Sequence, residues 1–224
     1  MINRIKENLL KSSNVYKDYN IKNYIINNNP EHHDDSNWLD EGQKEVYQFC
    51  GQFMLEKGLN TVVDIGCGSG YKLIKYLGEF KTIGVETEPC FSLLKTKYPE
   101  REWLISGEKE KSFNGYGSIQ NNNVVLCCDV IEHIIDPNIL LDYLISLNAN
   151  YYIISTPCRE ILCKGPKYSP HYSQHWGGPP KNVCHVREWT MGEFIEYLSK
   201  KFDIINSFYG KEQIECQYHL LSIK

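Results

Sequence analysis

The sequence predicts an α/β domain with a mostly parallel sheet, and three features of the chain support this. Thr61–Ile65 is a short apolar, β-branched run of the kind that forms a buried parallel strand. A glycine-rich turn follows at once, and apolar residues then recur at helical spacing in Tyr71–Leu77. Further strand-like and helix-like segments alternate from there to residue 157. This alternation is typical of parallel strands that are joined by helices.

The predicted elements belong to one domain, which we assign to residues 40–224. A helix is predicted over residues 40–57, because apolar side chains recur there at helical spacing. Thr190 is predicted to begin a later helix, since Glu193 three residues on can complete a capping box. Residues 1–39 are predicted to form a polar, Asn-rich arm or a short helix. The other predicted helices are 71–77, 89–98 and 138–147, and the predicted strands are 61–65, 81–86, 103–105, 124–129, 151–157, 202–208 and 216–223.

Length and composition narrow the class of protein. The chain has 224 residues, which suits one domain with a substantial core. Its formal net charge of −4 and its scattered basic residues give no electrostatic reason to expect a nucleic-acid partner. No apolar run approaches the ~20 residues of a membrane-spanning helix, and the first residues do not resemble a signal peptide. We therefore expect a cytoplasmic protein with no membrane partner, and leave the choice between monomer and homodimer open.

The turn after the first strand has the chemistry of a nucleoside-cofactor site. Gly66, Gly68 and Gly70 have no Cβ, so a ligand can approach the backbone closely. The turn leads into the start of a helix, where free N–H groups and the helix dipole favour an electron-rich ligand. The spacing is Asp-x-Gly-x-Gly-x-Gly, beginning at Asp64, rather than the Gly-x-Gly-x-x-Gly of dinucleotide-binding turns. A tight turn without a ligand is the alternative interpretation.

Two carboxylates follow strands at the same edge of the predicted sheet. Glu86 ends the second strand, about 20 residues beyond the glycines, where a ribose-binding acid lies in such folds. The alternative for Glu86 is a surface acid at a strand end. Asp129 ends the fourth strand, where a contact with cofactor or acceptor competes with a role as helix N-cap. Ligands of open parallel sheets bind outside these strand ends, so both acids lie where a ligand is expected.

Taken in order, these segments resemble class I S-adenosylmethionine-dependent methyltransferases. The turn from Asp64 to Gly70 is similar to their first motif, and residues 129–137 resemble the Asp-x-x-Glu-His-x-x-Asp-Pro segment of one large branch. The resemblance implies a Rossmann-like single domain with a sheet of about seven strands, helices on both faces and a C-terminal antiparallel hairpin. It also implies S-adenosyl-L-methionine as cofactor and S-adenosyl-L-homocysteine as product. The cofactor contacts that it implies are Asp64, Gly66, Cys67, Gly68, Gly70, Glu86 and Asp129.

The chain departs from this family after the third strand. The family often has an acid there, at the adenine-binding position, but this sequence reads Ser106-Gly107-Glu108. Ser106 or Gly107 takes the expected place, so we expect backbone groups to bind adenine. A catalytically silent module that binds S-adenosylmethionine is an alternative that this departure leaves open.

Residues 158–189 are predicted to form a loop or lid on the acceptor side, because they show little periodicity. Residues 178–189 resemble a Gly-Pro-Pro-x-Asn-x-x-His-Val-Arg-Glu-Trp segment of methyltransferases that are associated with sugar and glycan biosynthesis. This resemblance implies a small-molecule acceptor, with methylation of a sugar, nucleotide-sugar or glycan hydroxyl. His185 is then the candidate general base, and Arg187 is the candidate ligand of an acidic acceptor. The candidates for the wall of the acceptor pocket are His171, His175 and Trp176.

Each of these side chains also has a structural interpretation. His133 is the second candidate base, because imidazole titrates near neutrality, but a packed position after the fourth strand suits it as well. His185 and Arg187 can serve only to hold the loop against the domain. Trp176 and Trp189 can belong to the core. An acceptor of another kind, such as a phenol, a quinone or a protein side chain, is the alternative function.

We expect no metal ion. Asp129, Glu132 and Asp136 are acids within one short segment, and Mg²⁺ prefers carboxylates and water. Acids near the start of a helix also interact favourably with the helix dipole, and we adopt this interpretation. We likewise expect no zinc site among the cysteines and histidines of the loop.

Overall fold

Seven strands form one sheet in the computed structural model of the chain, which describes residues 17–33, 41–106, 124–163 and 176–224. Strands and helices alternate through the parallel part of the sheet, as the sequence predicted. The strands are β1 Thr61–Ile65, β2 Lys81–Glu86, β3 Glu102–Ile105, β4 Val124–Cys128, β5 Tyr151–Pro157, β6 Phe202–Tyr209 and β7 Cys216–Ile223. The helices are α1 Lys44–Lys57, α2 Tyr71–Leu77, α3 Cys90–Lys97, α4 Pro137–Ser146, α5 Arg159–Leu162 and α6 Met191–Leu198, with a 3₁₀ turn at Ile131–His133.

The order of the strands across the sheet is β3-β2-β1-β4-β5-β7-β6. Strands β1 to β5 are parallel, whereas β7 runs antiparallel to both β5 and β6. The predicted Rossmann-like sheet with a C-terminal antiparallel hairpin is thus confirmed. The chain moves outward in one direction from β1 to β3 and in the other direction from β4 to β5, and β7 then lies between β5 and the edge strand β6. Open α/β sheets bind ligands at this point of reversal, outside the carboxyl ends of the strands.

Helices cover both faces of the sheet. Neighbouring residues of a strand point to opposite faces, so each strand contributes side chains to two apolar clusters. Val63 and Val125 belong to an apolar cluster with residues of α4 and α6. Val62 and Val124 belong to a second cluster with residues of α1, α2 and α3. Every residue of β1 and β4 is buried. The glycine turn after β1 and the segment after β4 therefore follow directly from the buried centre of the sheet.

One helix start follows a local sequence signal, and another does not. The Thr190 hydroxyl accepts a hydrogen bond from the Glu193 N–H, and the Glu193 carboxylate accepts from the Thr190 N–H. The predicted capping box of α6 is thus confirmed. Helix α1 begins at Lys44 instead of residue 40, because Gln43 has a non-helical backbone conformation. Residues 34–40 lie outside the described ranges.

The described part of the N-terminal arm packs along the loop segment before α6. The Ile25 N–H donates to the Gly177 carbonyl at 2.7 Å, and the Asn27 N–H donates to the Val186 carbonyl at 2.8 Å. These bonds join residues 17–33 to the segment that carries the histidine motif. No helix among the described residues combines the length and apolar character that a bilayer crossing requires.

Candidate functional site

The glycine turn between β1 and α2 is built from positions that exclude a side chain. Gly66, Gly68 and Gly70 have φ angles of 76°, 54° and 70°, which residues with a Cβ rarely adopt. A Cβ on Gly66 would lie 2.5 Å from Val130 Cγ2, and a Cβ on Gly70 would lie 2.6 Å from Leu94 Cδ2. The turn therefore presents bare backbone at the start of α2.

Glu86 ends β2 beside this turn. One of its carboxylate oxygens accepts from the Gly68 N–H at 3.1 Å, and the other accepts from the Thr87 N–H at 2.5 Å. Backbone N–H groups thus orient the carboxylate at the strand end where a ribose-binding acid lies in such folds. Ser106, which follows β3, donates its N–H to the Glu86 carbonyl at 2.7 Å. The neighbouring residues 107 and 108 lie outside the described ranges.

Asp64 lies within β1, next to the glycine turn, and is fully buried. Its Oδ2 accepts a hydrogen bond from the Tyr47 hydroxyl at 2.8 Å. Tyr47 belongs to α1, so this bond joins α1 to the strand that carries the turn. Asp64, which the sequence predicted as a cofactor contact, is therefore hydrogen-bonded to a buried tyrosine. This bond fixes the end of β1 from which the glycine turn begins.

A cavity of about 190 Å³ lies at the carboxyl ends of β1 and β4. Part of its wall comes from the glycine turn and the start of α2, namely Gly66, Cys67, Ser69 and Lys72. Another part comes from the segment after β4 and from the loop, namely Asp129, Glu132, His133, Asn182 and His185. His33 of the N-terminal arm also borders it. The remaining predicted cofactor residues, Asp64, Gly68, Gly70 and Glu86, adjoin the first part of the wall without lining the cavity.

Asp129 follows β4 in a left-handed conformation with φ 53°, which aspartate tolerates better than most residues. Its Oδ1 accepts from the Ser155 hydroxyl at 2.7 Å, and its Oδ2 accepts from the Gln43 amide at 3.1 Å. The Gln213 amide donates to the same Oδ2 at 3.4 Å. The 3₁₀ turn that follows has Val130 as its N-cap and no side-chain cap. Asp129 is therefore a polar wall residue of the cavity and not an N-cap.

His133 and His185 meet at the cavity, with their rings nearly perpendicular and their centroids 4.8 Å apart. The Nδ1 of His133 lies 2.9 Å from the Cys184 carbonyl oxygen, and the Nδ1 of His185 lies 2.7 Å from the Glu188 carboxylate. Because these oxygens act as acceptors, each Nδ1 carries the hydrogen and each Nε2 of a neutral ring carries a lone pair. The Asn182 amide lies 2.9 Å from Nε2 of His185. The structure thus brings the two candidate bases together.

Glu132 lies beside this pair with no exposed surface. Its Oε2 accepts from the Thr156 hydroxyl at 3.0 Å, and its Oε1 lies 3.9 Å from Nε2 of His133. Burial, followed by repulsion from Asp129, raises the pKa of Glu132 well above its usual range. Burial and the neighbouring His185 lower the pKa of His133 to about 3, so this ring is neutral near pH 7.

Arg187 does not line the cavity. Its guanidinium donates to the carbonyl oxygens of Ile134 and Ile135 at 3.2 and 2.7 Å, and it lies over the ring of Tyr19. Only 1% of the residue is exposed, and this burial lowers the pKa of its guanidinium. These contacts hold the loop against the segment after β4. They fit the structural alternative for Arg187 rather than contact with an acceptor.

The other residues predicted for the acceptor side lie apart from the cavity or outside the described ranges. Trp176 is 56% exposed, and its ring stacks on the guanidinium of Arg159. Trp189 is buried in the core beside α6. His171 and His175 lie outside the described ranges.

The acids of the segment 129–136 do not form one cluster. Asp136 caps α4 by accepting a hydrogen bond from the Asn138 N–H, and its carboxylate lies 3.5 Å from the ammonium of Lys17. Asp129 and Glu132 line the cavity instead. Among these three acids, only Asp136 caps an α-helix, where its carboxylate interacts favourably with the helix dipole.

The polar side chains of the site that were not predicted from the sequence include Gln43, Tyr47, Asn182 and Glu188. Gln43 and Tyr47 reach the site only because α1 packs beside β1 and β4. No local pattern indicates that packing. Asn182 and Glu188 each lie three residues from His185 and contact its ring. Their positions three residues before and after His185 in the loop motif were the only sequence signal for these contacts.

Comparison with known proteins identifies the fold. No protein-family model matches the chain, and no curated protein sequence matches it. A SAM-dependent methyltransferase from Aquifex aeolicus gives a TM-score of 0.55 at 15% identity, covering 81% of this chain and 94% of that one. An S-adenosylmethionine-dependent methyltransferase from Clostridium acetobutylicum gives 0.58 at 14% identity, covering 83% and 93%. The plantazolicin methyltransferase BpumL, in complex with SAH, gives 0.57 at 13% identity, covering 82% and 84%. At these identities the similarity shows a shared fold.

Proposed function

We propose that the protein is an S-adenosylmethionine-dependent methyltransferase that acts on a hydroxyl group of a small molecule. The observation that carries this proposal is one cavity whose wall includes both the glycine turn and the histidine pair. The turn suits the cofactor, and the pair suits the acceptor. The similar solved structures include methyltransferases in complex with SAH, which supports the choice of cofactor.

The residues of the turn fit this cofactor. Bare backbone at Gly66 allows a ligand to approach closely, and Cys67 and Ser69 line the same wall. The Glu86 carboxylate is already oriented at the end of β2, where it can accept hydrogen bonds from both ribose hydroxyls. When bound, S-adenosylmethionine supplies the methyl group of its sulfonium. We assign its binding to the turn, with Asp64 and Tyr47 as buried support.

The histidine side of the cavity acts on the acceptor. The protein must hold the acceptor oxygen in line with the methyl carbon, exclude water, and ease the loss of the hydroxyl proton. The Nδ1 atoms of His133 and His185 are fixed by oxygen acceptors, so Nε2 of each ring has a defined position at the cavity. Nε2 of His185 accepts from the Asn182 amide at 2.9 Å, and the acceptor hydroxyl takes the place of this amide when it binds there. We assign the contact with the acceptor hydroxyl to these two rings. Asp129 lies on the same wall and orients the acceptor.

We choose a sugar, nucleotide sugar or glycan as the acceptor. The loop motif of residues 178–189 supports this choice by its resemblance, and it contributes Asn182 and His185 to the wall. Carboxylate, amide and imidazole groups on the wall suit an acceptor that carries several hydroxyls. An acidic group on the acceptor would meet Lys72, which lines the cavity, rather than Arg187, which does not.

The experiment is transfer of a radiolabelled methyl group from S-adenosylmethionine to nucleotide sugars, free sugars, phenols and short peptides. We expect label in a sugar-containing product and a fall in kcat of about 100-fold or more for His185→Ala. His219→Gln changes a histidine outside the cavity and should keep its activity, so it is the matched control. Labelling of phenols or peptides alone would reject the acceptor class. Cofactor binding without labelling of any acceptor would favour the catalytically silent alternative.

A further inference from the structure

We propose that His133, His185 and Glu132 form a binding site for a divalent first-row transition-metal ion. The inference rests on the proposed function, because it places the ion in the acceptor part of the same cavity. One ligand atom from each of the three residues lies within 4.8 Å of the others, and all three residues line the cavity. From the sequence we expected no metal ion: Glu132 was a candidate only with Asp129 and Asp136, and His185 only with the cysteines and histidines of its own loop.

The distances suit an ion after a small closure. Zinc-type bonds of about 2.0–2.2 Å in a tetrahedron place ligand atoms about 3.4 Å from one another. Nε2 of His133 and Oε1 of Glu132 are 3.9 Å apart, and the most distant ligand pair is within 4.8 Å. Closing the widest of these gaps requires its two ligand atoms to approach each other by about 1.4 Å at most.

Each histidine is held as metal-binding histidines are held. Such a ring donates its other N–H to a carbonyl or carboxylate, which fixes the ring and directs the free nitrogen at the metal. The Cys184 carbonyl takes this part for His133 at 2.9 Å, and the Glu188 carboxylate takes it for His185 at 2.7 Å. With each Nδ1 bound in this way, Nε2 is the nitrogen that each ring can offer to an ion.

Glu132 supplies an independent reason for a cation. It has no exposed surface, and its Oε1 finds no hydrogen-bond donor among the described residues. A buried carboxylate oxygen without a donor is costly, and a bound cation removes that cost. This oxygen lies 3.9 Å from Nε2 of His133. The unsatisfied oxygen of Glu132 and one nitrogen of each histidine therefore lie close together, and an ion there would displace the Asn182 amide from Nε2 of His185.

The donor set indicates the class of metal. Two imidazoles with one carboxylate suit Zn²⁺, Co²⁺, Mn²⁺ or Fe²⁺, whereas Mg²⁺ prefers oxygen ligands and water. Three protein ligands leave a coordination position open, which is typical of catalytic rather than structural sites. Because all three residues line the cavity, the ion would bind the acceptor hydroxyl there and lower its pKa. His185 then serves as a ligand and not as the proton acceptor that the sequence suggested.

The test begins with the full chain stripped by a chelator and titrated with Co²⁺, whose visible absorption reports tetrahedral nitrogen and oxygen ligands. We expect the protein to bind one equivalent of Co²⁺ with the absorption bands of a tetrahedral site, and Zn²⁺ to displace the Co²⁺. His185→Ala and Glu132→Gln should each weaken binding by more than about 100-fold, beyond the usual effect of losing an outer partner. His219→Gln also loses one histidine, and it should bind Co²⁺ as tightly as the unchanged protein does. Circular dichroism checks that each variant is folded.

The outcomes separate this inference from the proposed function. If the folded, unchanged protein binds Co²⁺ no better than the His185→Ala variant, the inference is wrong whatever the variants' stability. If methyl transfer proceeds at full rate in chelator, the ion has no part in it and His185 remains the candidate base. If Co²⁺ binds as expected but no acceptor is methylated, the metal site stands and the proposed function falls.

Discussion

His133 and His185 come from different segments of the chain, yet their rings stand nearly perpendicular with centroids 4.8 Å apart. Each ring is fixed through its Nδ1 by an oxygen behind it, the Cys184 carbonyl for one and the Glu188 carboxylate for the other. The relationship depends on the loop before α6 folding back over the segment after β4. The Val186 N–H makes that junction by donating to the Glu132 carbonyl at 2.7 Å.

Glu188→Gln should weaken the action of His185 without unfolding the protein. The substitution keeps the shape of the side chain but replaces a charged acceptor of the Nδ1–H by a neutral one. We expect kcat for methyl transfer and the affinity for Co²⁺ each to fall by about 10- to 100-fold, as for outer partners of functional histidines. Glu196→Gln, which changes an exposed acid on α6, is the control. Unchanged kcat and unchanged Co²⁺ affinity in Glu188→Gln would show that the bond has no functional part.

Gly66→Ala should destabilise the domain and abolish cofactor binding. The new Cβ would occupy a backbone with φ 76° and would lie 2.5 Å from Val130 Cγ2. Strain of this kind costs about 1–3 kcal/mol, which denaturant titration can measure. Gly192→Ala is the matched control, because a Cβ there meets nothing within 4 Å. Since Gly192 lies in α6, the control should gain about 0.5–1 kcal/mol. Equal stability of the two variants would contradict the geometry of the turn.

Arg187→Lys should reduce stability more than acceptor affinity. The guanidinium donates to two consecutive carbonyl groups and is almost fully buried, and an ammonium cannot reproduce that fork. We expect a loss of about 1–3 kcal/mol in the free energy of unfolding with an unchanged KM for the acceptor. Arg101→Lys, at a half-exposed arginine with one such bond to Gly78, should lose less. A raised KM with unchanged stability would restore Arg187 to the acceptor site.

The buried His219 should make stability fall in mild acid. Burial lowers the pKa of His219 to about 3, below the value of about 6.5 in an unfolded chain. The unfolded state therefore binds the extra proton first, and stability is lost as the pH falls from about 6.5 toward 3. Between pH 7 and pH 5 the unchanged protein should lose about 2 kcal/mol more than His219→Gln. Denaturant titrations in chelator measure this, and parallel pH profiles for the two proteins would contradict it.

The order of elements was predictable because it depends on local patterns. The buried run of β1, the glycine turn and the Thr190–Glu193 capping box each act over a few residues, and each is found in the structure. The antiparallel hairpin followed from resemblance, and the sheet order confirms it. The start of α1 was placed four residues early, because apolar periodicity does not locate a helix end whose first residue lacks a side-chain cap.

The polar partners within the site were not predictable in the same way. Tyr47 meets Asp64 only because α1 packs on the sheet next to β1. The orientation of Arg187 depends on how the loop packs against the domain: His185 lines the cavity, whereas Arg187, two residues further on, does not. A motif therefore identifies the segment that carries the chemistry, whereas packing decides which of its side chains reaches the ligand.

The most direct test of the account is calorimetric titration of the protein with S-adenosylhomocysteine, alongside Glu86→Gln. We predict one site with a dissociation constant in the micromolar range, weakened by about 10-fold or more when the charged acceptor at Glu86 is lost. Glu88→Gln, an exposed acid two residues away, should bind as the unchanged protein does. If the folded, unchanged protein releases no heat up to millimolar S-adenosylhomocysteine, the cavity does not serve this cofactor and the proposed methyltransferase activity is contradicted.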